Sequence, residues 1–171
     1  MYYVAYGSNM NLAQMSVRCP KSKLIGNGTI KGYDLIFNIH LDVVKSKNKN
    51  KIIPVVVWDI DDVDWLALDR YEGYPNYYVT KCIDVVLDTG EKICGIIYVM
   101  AKDRKGICPP YKSYFETCLE GYLNNNIDDK PLYDALLYSI ENETPYNKYT
   151  KDFNKKKKGG IYNAKNKKQK I

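Results

Sequence analysis

The feature that most constrains the fold is Tyr6-Gly7-Ser8-Asn9, which stands between an apolar run and a helix-like segment. The apolar run, residues 2–6, predicts a first β-strand, and residues 11–18 predict a short helix capped by Asn9 or Asn11. A strand that turns on a glycine into a helix leaves several backbone N–H groups pointing at one place. Because such donors and the helix dipole both favour negative charge, we expect this turn to bind an anion.

A second segment places one carboxylate among aromatic residues. It runs from Leu68-Asp69 through Glu72-Gly73 to Pro75 and Tyr77-Tyr78. Burial among aromatic rings raises the pKa of a carboxyl group, which suits that group to accept and donate protons near neutral pH. Glu72 is therefore a candidate general acid and base. The alternative interpretation is a solvated carboxylate at the end of a helix.

The rest of the pattern predicts an α+β domain built around a small, twisted, barrel-like sheet. Further strands are predicted at residues 24–30, 33–39, 52–60, 77–87 and 92–99, the last two joined as a hairpin. Pro54 cannot donate to a ladder, so it belongs at a strand start or an edge. Residues 45–51 read as a polar loop. Helices are predicted after Asp61-Asp62, after Pro109-Pro110 over residues 111–123, and over residues 131–140.

The basic charge of the chain is concentrated near its C-terminal end. The net charge is +6, but residues 151–171 hold nine lysines and one aspartate, which leaves about −2 for the other 150 residues. We therefore expect one domain over residues 1–149 and a Lys/Asn-rich basic tail over residues 150–171. Compositional bias accounts for the tail; the alternative is an arm for nucleic acid or an acidic partner. Because the body is nearly neutral, nucleic acid is not the expected partner.

Cysteine and histidine usage argues against several classes of site. The five cysteines are odd in number, show no Cys-x-x-Cys spacing and accompany a single histidine, His40. This pattern predicts reduced thiols, a structural histidine and no zinc site. The sequence has no basic leader and no apolar run of about 20 residues, so a soluble cytoplasmic protein without a membrane partner is expected. The oligomeric state is left open.

The two motifs, in this order and at this separation, resemble the γ-glutamylcyclotransferase family, including its γ-glutamylamine cyclotransferase and AIG2-like branches. The resemblance runs from residue 2 to about residue 124 and includes Gly32-Tyr33-Asp34-Leu35-Ile36-Phe37, Gly95-Ile96-Ile97-Tyr98 and Pro110-Tyr111. It implies a small mixed β-barrel flanked by helices, with the site at one mouth. It also implies an enzyme of glutathione metabolism that uses neither a metal nor a cofactor and acts on a small γ-glutamyl substrate.

The reaction implied by this resemblance is an intramolecular aminolysis. The α-amine of a γ-glutamyl group attacks its own γ-carbonyl, closes 5-oxoproline and releases the amine or amino acid. Glu72 would be the catalytic acid and base. The implied substrate-binding residues are Tyr6, Gly7, Ser8, Asn9, Met10, Tyr78 and Tyr111. The alternative function is a non-catalytic small-molecule-binding or regulatory module with the same cavity, because fold does not fix function.

Overall fold

The structure, a computed structural model, describes residues 1–104 and 106–144. Its strands are β1 (Tyr2–Ala5), β2 (Lys23–Lys31), β3 (Tyr33–Asn38), β4 (His40–Lys45), β5 (Ile52–Asp59), β6 (Tyr78–Leu87) and β7 (Lys92–Met100). Its α-helices are α1 (Leu12–Arg18), α2 (Asp62–Glu72), α3 (Lys112–Asn124) and α4 (Lys130–Glu141). Short 3₁₀ helices cover Ser8–Met10 and Lys102–Arg104. The predicted α+β class is confirmed.

Five of the strands close into a barrel in the order β1-β5-β2-β6-β7. The short first strand lies between β5, to which it is antiparallel, and β7, to which it is parallel. Its last three residues are buried, as expected of an apolar strand covered on both faces. The small mixed barrel and the β6–β7 hairpin are therefore confirmed. Pro54 lies near the start of β5, beyond the last β1 pairing at Val56.

A two-stranded sheet, β3–β4, stands outside the barrel order. Its register runs from Tyr33 opposite Lys45 to Asn38 opposite His40. Strand β4 is not among the predicted strands, because it is short, carries His40 and Asp42, and runs directly into the polar segment. Leu41 and Val43 are buried in this strand, together with the carboxylate of Asp42. This strand forms part of the wall of the site described below.

Helix α3 packs directly against the 3₁₀ helix that follows β1. A Cβ at Gly121 would lie only 2.8 Å from the backbone nitrogen of Asn11 and 2.9 Å from Cβ of Met10, so only glycine permits this approach. Asn125, which follows α3, donates from Nδ2 to the carbonyl oxygens of Met10 (2.8 Å) and Gly121 (2.7 Å). These contacts fix the position of the Tyr6-Gly7-Ser8-Asn9 turn relative to the barrel.

The predicted domain boundary at residue 150 and the basic tail lie outside the described residues. Among residues 1–104 and 106–144, none of the helices is both long enough and apolar enough to cross a bilayer. In the same ranges, no three His, Cys, Asp or Glu side chains come together as a set able to hold a metal ion. The expectation that no cofactor is used stays a prediction.

Candidate active site

The turn after β1 offers backbone donors, as its sequence predicts. The amide of Met10 donates to the carbonyl of Gly7 at 2.9 Å and closes the 3₁₀ turn. No hydrogen bond among the described residues takes up the amides of Ser8 and Asn9. Asn11 caps α1 by accepting the amide of Gln14 on Oδ1 at 3.1 Å. Because Asn11 fills the capping role, the Asn9 side chain is available for other contacts.

Glu72 lies at the end of α2, which Gly73 terminates in the left-handed conformation at φ 64°. Its side chain is partly buried, and its Oε1 accepts a hydrogen bond from Nδ2 of Asn9 at 2.7 Å. Burial raises the pKa of Glu72 from 4.5 to about 7. The Asn9 hydrogen bond and the positive charge of Arg18 oppose that rise. The carboxyl group is thus both shielded and directed at the first motif.

Hydrogen bonds hold both the nitrogen and the oxygen of the Asn9 side-chain amide. Its Nδ2 donates to Oη of Tyr3 at 2.7 Å as well as to Glu72, while its Oδ1 accepts from Arg18. Arg18 also donates to Oγ of Ser8 at 3.2 Å, and its guanidinium lies 3.7 Å from the centre of the Tyr71 ring. Because Oδ1 is fixed by a cation, Nδ2 must point at Glu72.

Buried tyrosines form the opposite wall. Oη of Tyr78 donates to the carbonyl of Leu41 at 3.0 Å, and Oη of Tyr6 donates to the carbonyl of Tyr98 at 2.8 Å. The amide of Leu41 donates to Oη of Tyr114 at 3.2 Å. Burial holds the pKa of Tyr6, Tyr78 and Tyr114 well above 10, so these phenols stay neutral near pH 7.

These groups enclose a small recess that opens into a wider vestibule. The recess has a volume of about 30 Å³, enough for about one water molecule. The vestibule has about 430 Å³, within the range of small-molecule sites. Four residues line both spaces: Ser8, Glu72, Tyr78 and Tyr114. A bound molecule would therefore lie mostly in the vestibule and place one polar atom in the recess.

The structure brings together most of the predicted site residues. Those lining the recess are Tyr6, Gly7, Ser8, Asn9, Glu72 and Tyr78. Met10 and Tyr111 are not brought there. The Met10 side chain is fully buried and its amide is used within the turn, while Tyr111 forms the N-cap of α3. Tyr114, one helical turn later, faces the recess instead.

Several residues of the site were missed by sequence reasoning: Tyr3, Arg18, Leu41, Tyr98 and Tyr114. The tyrosines carry no individual signal, because the chain has 17 of them. Leu41 lies in the unpredicted strand β4. Arg18 carries no signal of a site either, because a basic residue in the last turn of a helix ordinarily complements the helix dipole.

Comparison with known proteins gives the same assignment as the two motifs. The family model described as "Gamma-glutamyl cyclotransferase, AIG2-like" matches residues 3–116, two thirds of the chain. The chain belongs to this family. The match begins within β1 and ends within α3, so it includes both the motif turn and Glu72.

The individual relatives share only a minority of their residues with this chain. One is a Methanocaldococcus jannaschii protein whose name proposes gamma-glutamylcyclotransferase activity; it is 33% identical over 78 residues, which are 45% of this chain and 64% of that protein. A solved structure of a gamma-glutamyl cyclotransferase has a TM-score of 0.68 at 18% identity, covering 91% of this chain and 98% of the other. An uncharacterised protein from Homo sapiens has a TM-score of 0.63 at 19% identity, covering 90% and 97%. These structural likenesses establish the fold.

Proposed function

We propose that this protein is a cyclotransferase that cleaves γ-glutamyl amines or γ-glutamyl amino acids and releases 5-oxoproline with the free amine. One observation carries the proposal. A shielded carboxyl group, Glu72, lies in the same recess as the backbone donors of Ser8 and Asn9. Its pKa of about 7 allows it to exchange a proton in either direction near neutral pH.

The proposed reaction moves two protons from one nitrogen to another. The substrate's α-ammonium loses one proton to Glu72, which releases it to solvent, and the free amine attacks the γ-carbonyl carbon. A C–N bond forms to close the five-membered ring, and the nitrogen loses a second proton to the carboxylate. The bond from the γ-carbon to the leaving nitrogen then breaks as Glu72 returns a proton. The leaving amine takes up its last proton in solvent, so no water is consumed and no metal is used.

Charge that develops on the γ-carbonyl oxygen needs donors that are already in place. The amides of Ser8 and Asn9 are suited to this, because they are held by the 3₁₀ turn and have no partner among the described residues. The neutral tyrosine wall limits access of water and supplies no competing charge.

The test is a measurement of 5-oxoproline released from a panel of γ-glutamyl amines and γ-glutamyl amino acids. We expect release by the wild type and a loss of at least about 100-fold in kcat for Glu72→Gln, the size of a lost general acid–base contribution. Glu116→Gln is the matched control, since Glu116 is exposed on α3 and pairs with Lys112 at 3.4 Å. Full turnover by Glu72→Gln would refute the proposed mechanism. Binding without release by the wild type would instead identify a non-catalytic binding module.

A further inference from the structure

The vestibule outside the recess is lined mainly by aromatic rings. These belong to His40, Tyr71, Tyr77, Tyr78 and Tyr114. The His40 ring packs edge-on against Tyr114, with centroids 4.8 Å apart. The Tyr77 side chain lies over Gly73, so close that a Cβ at Gly73 would be 3.2 Å from the Tyr77 Cβ and ring. Tyr71 packs on the Arg18 guanidinium, and both Tyr71 and Tyr77 are about half exposed. The rings therefore form an aromatic surface that is open to solvent.

The vestibule offers little to a negatively charged group. None of the described residues that line it is Lys or Arg, and Glu72 itself faces into it. Arg18 lies beneath this surface, but its guanidinium is engaged by Ser8, Asn9 and Gln14. The faces of tyrosine rings carry negative partial charge, which repels a carboxylate and accepts a ring edge or a C–H group.

The position of Glu72 fixes which part of a substrate would meet this surface. Glu72 and Ser8 line both the recess and the vestibule. With the γ-carbonyl oxygen at the turn amides and the leaving nitrogen within reach of Glu72, the substituent on that nitrogen extends outward. It therefore lies among the rings of the vestibule.

From these observations we infer that the vestibule is a subsite for a leaving amine that carries an aromatic ring and has no carboxylate beside its nitrogen. This inference rests on the proposed cyclotransferase function and specifies its substrate class. An aromatic ring gains edge-to-face contacts with these tyrosines. A carboxylate on the carbon next to the leaving nitrogen would lie near the Glu72 carboxyl group, with no Lys or Arg among the described lining residues, which disfavours amino acid leaving groups.

Three matched conjugates test the inference: γ-glutamyl-tyramine, γ-glutamyl-tyrosine and γ-glutamyl-ethylamide. Tyrosine adds only the carboxylate to tyramine, and ethylamine removes only the ring. We expect kcat/KM for 5-oxoproline release to be highest for the tyramine conjugate. The excess over the ethylamide conjugate should be about tenfold, as one or two aromatic contacts would give, and release should also be faster than from the tyrosine conjugate, whose carboxylate lies beside Glu72. Equal or faster release from the tyrosine or the ethylamide conjugate would overturn the inference and leave the proposed function standing. No release from any conjugate would overturn both.

A variant pair locates the effect in the vestibule. Tyr77→Leu should reduce the tyramine-to-ethylamide ratio of kcat/KM severalfold, because it removes a ring of the vestibule. Tyr138→Leu on α4 is the control, since Tyr138 is 46% exposed against 47% for Tyr77 but lines a different cavity, and its ratio should equal that of the wild type. An unchanged ratio in Tyr77→Leu, with its melting temperature preserved, would overturn the assignment. If that variant does not fold, the wild-type comparison of the three conjugates decides.

Discussion

The raised pKa of Glu72 has a consequence for stability that can be measured without any substrate. The folded state raises the pKa from 4.5 to about 7, so the folded protein binds this proton more tightly than the unfolded chain does. Below pH 4.5, Glu72 therefore does not lower the free energy of unfolding. Its ionisation lowers that free energy progressively between pH 4.5 and 7 and to the full extent above pH 7. At about 1.4 kcal/mol per tenfold change in proton affinity, the upper limit is roughly 3 kcal/mol. Because the side chain is only partly buried, we expect about 1–3 kcal/mol.

The perturbation is Glu72→Gln, whose side chain has similar size and keeps an oxygen to accept the Asn9 hydrogen bond. Urea denaturation of both proteins at pH 5 and pH 8 gives two differences in the free energy of unfolding. From pH 5 to pH 8, the free energy of unfolding of the variant should rise by about 1–3 kcal/mol relative to that of the wild type. Glu116→Gln should change by less than about 0.5 kcal/mol, since Glu116 is exposed. An equal difference between variant and wild type at both pH values would refute the claim that Glu72 is shielded.

Three further substitutions test how the site is held. Arg18→Met removes a positive charge that lowers the pKa of Glu72, so the acidic limb of the pH–kcat profile should move to higher pH; an unmoved limb would contradict this coupling. Asn125→Ala removes hydrogen bonds to the carbonyls of Met10 and Gly121 and should lower the free energy of unfolding by about 1–3 kcal/mol in urea. Gly121→Ala places a Cβ 2.8 Å from the backbone of the motif turn, so both the melting temperature and 5-oxoproline release should fall; a wild-type melting temperature would argue against this contact.

The parts of the fold that could be predicted are those that local patterns determine. Apolar and polar side chains alternate along residues 77–87 and 92–99, and a turn joins these two segments. They form β6 and β7 nearly as predicted. The helix after Asp61 begins as its capping residue indicates. Strand β4 was missed because a six-residue strand with His40 and Asp42 among its first residues shows little periodicity. Its role depends on its tertiary contacts, which sequence periodicity does not report.

The site shows the same division between local and tertiary information. The motif turn and Glu72 could be predicted, because a glycine turn before a helix and a carboxylate among aromatics are local features. Which of Tyr111 and Tyr114 faces the recess could not be predicted, because it depends on the orientation of α3 about its own axis. That orientation is set by the close approach at Gly121. The basic residue at the end of α1 would ordinarily be read as a complement to the helix dipole. Only the folded chain places Arg18 beside Asn9.

The Arg18–Asn9 pair explains why Glu72 can serve both halves of the proposed reaction. Burial without this pair would raise the pKa of Glu72 further, leaving the carboxyl protonated at neutral pH and unable to accept the proton of an ammonium group. A stronger or closer cation would keep it ionised, so that it could not return a proton to the leaving nitrogen. The charge of Arg18 and the hydrogen bond from Asn9 each lower the pKa of Glu72 and offset part of the rise that burial causes. The balance of burial against these two contacts leaves the pKa at about 7, where a single carboxyl group can carry out both transfers.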